Sequence, residues 1–65
     1  MKNRIRVARA EVRMTQQRLA DEAGVSRQTI NAIENNKYDP TLGLAMRLAR
    51  LLNTPVEEIF HLPET

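Results

Sequence analysis

The 65-residue sequence has no cysteine, which excludes a disulfide framework and a thiolate metal site. Its single histidine, His61, has no second histidine or clustered carboxylate at ligand spacing. A tight zinc site is therefore not expected, nor is any other cofactor. Long apolar runs are missing too, and nothing approaches the roughly 20 residues needed to span a bilayer. The start MKNRIRVARAEVR is basic but has no apolar core of a signal peptide. Reading it as an Arg-rich transit segment would remove much of so small a domain. The expectation is a soluble, cytoplasmic protein with no membrane partner. No Ser/His/Asp set, phosphate-binding loop or carboxylate dyad can be assembled from these residues, so an enzyme is not expected. Repeats, linkers and low-complexity segments are absent, and no stretch alternates with period two.

What is present fits one domain, residues 1–65. A chain this short buries only about 60% of its unfolded surface, so its stability is marginal. Without disulfide or metal, a partner subunit is the remaining support. The net charge is only +2, but it is unevenly spread. Residues 1–37 hold eight Lys/Arg against four Asp/Glu, and residues 38–65 hold two against four. A basic half and an acidic half suggest one face turned toward a polyanion.

Caps and periodicity predict five short helices and an all-α fold. Ile5, Ala8 and Val12 lie at helical spacing behind Asn3, a candidate N-cap. Thr15 precedes QQRLADEA, where Leu19, Ala20 and Ala23 form an apolar stripe and Gly24 is the expected left-handed stop. Ser26 caps the third helix, and Asn36 is placed to end it in a left-handed conformation. Thr41 caps LGLAMRLARLL, with Leu44, Ala45, Leu48 and either Leu51 or Leu52 facing inward, and Asn53 closes it. Thr54, Pro55 and Glu57 read as an N-cap, an N1 proline and a capping box for a fifth helix.

Helices 2 and 3 are separated only by Gly24, Val25 and Ser26. So short a turn sends the second helix off at a steep angle, as in a helix-turn-helix unit, here about residues 15–35. At about 100° per residue, Ile30, Ile33 and Thr29 fall on the inner side of helix 3. Arg27, Asn31, Asn35, Gln28 and Ala32 share the outer arc. A merely solvated helix would carry Glu and Lys there; this one carries amides and arginine. Arg27 and Gln28 occupy the first turn, where a recognition helix approaches base edges in the major groove. Arginine can engage guanine, and glutamine adenine, through two hydrogen bonds each.

The run MTQQRLADEAGVSRQTINAIENNKYDPTLGLAMRLARLLNTPVEEIF resembles the phage repressor/Cro-type helix-turn-helix family, also called the xenobiotic response element family. It is most similar to small stand-alone regulators of the cytolysin-repressor type, and the resemblance covers nearly the whole chain. It implies a lambda-repressor-like domain that binds double-stranded DNA and regulates transcription. Residue by residue, it implies base reading by Arg27, Gln28 and Ala32. Ala32 departs from the family's hydrogen-bonding side chain and offers only contact with a thymine methyl, so no known operator can be transferred. Gln16, Asn35 and Lys37 are implied at backbone phosphates, and Thr15, Ser26, Asn31 and Tyr38 are grouped with them. For Tyr38 the alternative is a ring packed half-buried under the loop. Arg9 and Glu34 match a family pair that forms an internal salt bridge.

The segment TPVEEIFHLPE is more apolar than a monomer of this size needs. The resemblance implies a homodimer through residues 52–62, with Leu52, Pro55, Val56, Ile59, Phe60 and Leu62 as interface candidates. Such a dimer binds an inverted repeat and acts as a repressor. The alternative is an antitoxin-like or accessory module that uses the same fold to hold a protein partner.

Overall fold

In the computed structural model, which describes residues 1–62, three of the four hydroxyl residues expected to start helices, Thr15, Ser26 and Thr41, do so through their hydroxyls. Helix α2 (Gln16–Ala23) begins where Thr15 accepts the amide of Arg18, and α3 (Arg27–Glu34) where Ser26 accepts that of Thr29. Helix α4 (Leu42–Leu51) begins where Thr41 accepts the amide of Leu44. Each hydroxyl satisfies one of the amides that a helix start leaves without a partner. Helix α1 (Ile5–Glu11) departs from expectation by one residue. Its N-cap is Arg4, and the Asn3 side chain instead bridges, accepting the amide of Ile5 at 3.2 Å and donating to the Ile33 carbonyl at 2.7 Å.

Four helices end alike. Arg13, Gly24, Asn36 and Asn53 all have positive φ, between 53° and 78°. After α1, Arg13 N–H donates to Ala10 and Met14 N–H to Arg9; after α3, Asn36 donates to Ile33 and Lys37 to Ala32. The same pair of reversed bonds follows α4 through Asn53 and Thr54. These are Schellman closures, which satisfy the last carbonyls and turn the chain sharply. Gly24, Asn36 and Asn53 stand where left-handed residues are expected, whereas Arg13 is an L-residue without that preference.

Two expectations about local structure do not hold. Val12 does not join the α1 stripe: it is the C-cap and is exposed, because α1 stops at Glu11. The capping box does not form either. Helix α5 (Val56–Ile59) is a single turn with Pro55 at its N-cap and no side-chain cap, and the Thr54 hydroxyl turns back to donate to the Leu52 carbonyl.

Among the described residues the fold is five helices plus a small antiparallel sheet that the helical patterning did not foresee. Strand β1 (Lys2–Asn3) pairs with β2 (Phe60–His61), Lys2 opposite His61 and Asn3 opposite Phe60. Arg4 N–H continues the ladder onto the Ile59 carbonyl at 2.8 Å. Two residues per strand are too few to write a period-two pattern. Ile5, Leu19, Ile30, Ile33, Leu48, Leu52 and Ile59 are the large side chains sealed in the core. Each contributes about 1.5–3 kcal/mol by leaving water. Of the alternatives in α4, Leu52 is inside and Leu51 only partly covered. Among the described residues no helix is long and apolar enough to cross a membrane.

Candidate nucleic-acid interface

Gly24, at φ 78°, reverses the chain after α2, and Val25 packs against the core below the turn. Ile30 and Ile33, 0% and 1% exposed, then fasten α3 to the domain. The opposite side of α3 is left in water, and it carries Arg27, Gln28, Asn31 and Asn35, all exposed, with Ala32 partly covered between them. Among the described residues, the side chains of Arg27 and Gln28 make no hydrogen bond or ion pair. They project from the first turn of α3, where they flank a shallow hollow beside Ser26.

The other polar side chains of this face are tied together. The Gln16 amide donates to Asn31 Oδ1 at 3.2 Å and to Glu34 Oε1 at 3.1 Å. Asn35 donates to the Asn31 carbonyl at 2.9 Å. Both amides keep lone pairs or hydrogens for an outside partner. The start of α2, with its unpaired amides, lies next to this cluster and adds partial positive charge. Lys37 is exposed in the loop after α3, and Tyr38 beside it is 47% exposed, about half covered.

Glu34 lies beneath these groups with a fully buried carboxylate. Arg9 grips it with two hydrogen bonds, Nε at 2.7 Å and a terminal nitrogen at 3.2 Å, and its other terminal nitrogen donates to the Met14 carbonyl. The planar guanidinium matches a carboxylate in this way as an ammonium could not. Arg9 therefore holds α1, the α1–α2 turn and α3 together.

The tertiary structure brings in a residue absent from the sequence-based site. Arg6, on α1, reaches Glu34 Oε1 with Nε at 3.4 Å and Asn35 Oδ1 with a terminal nitrogen at 3.4 Å. Its signal was present: Arg6 is three residues before Arg9, so both lie on one face of α1. The structure also corrects the interface candidates. Leu52 and Ile59 are 1% and 0% exposed within the monomer's own core, so neither offers surface to a second copy. Pro55 and Leu62 are exposed, and Val56 and Phe60 are partly so.

A helix-turn-helix family model matches residues 5–59. An uncharacterized helix-turn-helix-type transcriptional regulator of Methanocaldococcus jannaschii is 50% identical over 60 residues, 92% of this chain and 91% of its own. One of Methanothermobacter thermautotrophicus is 48% identical over 65 residues, 98% of this chain and 94% of its own. The crystal structure of the restriction-modification controller protein C.AhdI from Aeromonas hydrophila superposes with a TM-score of 0.78 at 25% identity, over 86% of this chain and 85% of that one. A hypothetical transcription factor from Neisseria shares the fold, with a TM-score of 0.77 at 22% identity, over 83% of this chain and 61% of that one.

Proposed function

The chain belongs to the helix-turn-helix family of transcriptional regulators, which are not enzymes, and from that premise we propose that it binds an inverted-repeat operator in double-stranded DNA as a homodimer and represses transcription. One observation carries the reading: Arg27 and Gln28 stand exposed in the first turn of α3, with no side-chain partner among the described residues. Leaving an arginine and a glutamine without partners adds nothing to the fold. It suits two side chains whose partners are base edges.

In this mechanism α3 enters the major groove, and Arg27 and Gln28 select sequence while Ala32 contacts a thymine methyl. Gln16, Asn31, Asn35, Lys37, Tyr38, Thr15 and Ser26 dock on phosphates and fix the register. The exposed apolar surface at Pro55, Val56, Phe60 and Leu62 pairs two copies, so that their α3 helices meet successive major grooves about 34 Å apart. Occupying a promoter then blocks transcription sterically.

Binding of single variants to a duplex selected in vitro and to a scrambled duplex tests this. Arg27→Ala should lose about 1–3 kcal/mol on the selected duplex and little on the scrambled one. Lys37→Ala should weaken both alike and lower the salt dependence by about one unit of slope. An Arg27→Ala variant with unchanged sequence preference removes α3 as the reading helix. Failure of the parent chain to bind either duplex, with retention of a protein partner, favours the accessory-module alternative.

A further inference from the structure

Glu34 is a single buried negative charge, and Arg9 alone neutralises it in good geometry. Arg6 contributes only one long approach of 3.4 Å to the same carboxylate. Its side chain is 64% exposed, against 14% for Arg9. Within this cluster of two arginines and one glutamate, the surplus positive charge is therefore at Arg6, and it faces water. A single approach at 3.4 Å from an arginine that lies largely in water adds little to stability.

The position of Arg6 is specific. Oxygen Oε1 of Glu34 receives Gln16, Arg9 and Arg6 together, which places the Arg6 guanidinium within one oxygen of the Gln16 amide. Its outer nitrogen rests on Asn35. Arg6 thus borders two of the amides proposed to meet DNA phosphates, one at the start of α2 and one at the end of α3.

Resting on the DNA reading above, we propose that Arg6 is a further phosphate anchor, which carries the DNA-binding surface from the helix-turn-helix onto α1. On binding, Arg6 swings from Glu34 and Asn35 to a backbone phosphate beside Gln16, while Arg9 keeps Glu34 satisfied. The anchor carries no sequence information; it adds affinity and salt dependence.

The test compares parent, Arg6→Ala, Arg6→Lys and Lys37→Ala, measured by fluorescence anisotropy on the selected and scrambled duplexes over a salt series. One lost phosphate contact should lower the slope of log affinity against log salt by about 0.9, an effect on the order of eightfold at 0.1 M salt. Arg6→Ala should show that loss equally on both duplexes, and Arg6→Lys should restore most of the slope. The Tm of Arg6→Ala should shift by only a few degrees, because Arg9 still holds Glu34. An unchanged slope in Arg6→Ala beside a lowered one in Lys37→Ala overturns the Arg6 assignment alone. So does a loss confined to the selected duplex, or a large fall in Tm with the slope intact. A parent chain that binds neither duplex removes the DNA reading, and this assignment with it.

Discussion

A Cβ placed on Gly24 would find open space around it, yet the position does not suit other residues. Its φ of 78° lies in the left-handed region, where an L side chain crowds its own backbone by roughly 1–2 kcal/mol. Gly24→Ala should therefore lower stability by about that amount, although it clashes with nothing beyond the turn. Arg13 presents the mirror case, an L-residue already held at φ 55° in the closure of α1. Arg13→Gly should raise stability by about 0.5–1 kcal/mol, after allowance for the extra freedom of glycine in the unfolded chain. Thermal unfolding followed by circular dichroism would measure both, and a destabilised Arg13→Gly would argue against a left-handed Arg13 in solution. Gly24 and Asn36 announce their conformation by residue type. Arg13 does not, because its left-handed state follows from the turn that Arg9 and Met14 close around it.

Among the elements, α3 cannot stand without its neighbours. It has eight residues, too few for a stable isolated helix, and half its surface is surrendered to solvent. Ile30 and Ile33 hold its inner face, and the Arg9–Glu34 pair ties its last turn to α1. Arg9→Met leaves the Glu34 carboxylate buried with only the long contact to Arg6 and the amide of Gln16. Breaking such a pair costs about 3–5 kcal/mol, a large part of the roughly 3–10 kcal/mol total for a chain of this length. We expect urea unfolding to show that loss, and the double variant Arg9→Met/Glu34→Leu to regain most of it. A single variant within about 1 kcal/mol of the parent would mean that the pair is solvated. The position of Glu34 at the edge of the helical wheel was legible beforehand; the second and third partners of its carboxylate were not, since Gln16 and Arg6 arrive from two other helices.

At the scale of the whole molecule, a two-stranded sheet closes the domain. Strands β1 and β2 clasp residues 2–3 against 60–61, and the N-terminal ammonium adds an ion pair with Asp39 at 2.8 Å. The clasp leaves Leu62 at 79% exposure beside the partly covered Phe60 and Val56. If this surface pairs two copies, Leu62→Glu should weaken self-association in sedimentation equilibrium by tenfold or more, about 1.4 kcal/mol. It should also remove cooperative occupation of two half-sites while leaving the fold intact. Dimerisation of Leu62→Glu with unchanged affinity would place the interface elsewhere.

Local chemistry along the sequence sets where α2, α3 and α4 start and stop, which stripe of each faces inward, and that Arg27 and Gln28 stand outside. Those outcomes follow from local chemistry: hydroxyls beside free amides, a glycine or asparagine that tolerates positive φ, and apolar residues at helical spacing. Packing between the helices assigns Leu52 and Ile59 to the core rather than to a partner. It also pairs residues 2–3 with 60–61 and sets Arg6 beside Gln16 and Asn35. Each of these depends on groups far apart in the chain meeting across helices, and spacing along one helix carries no record of what packs against it.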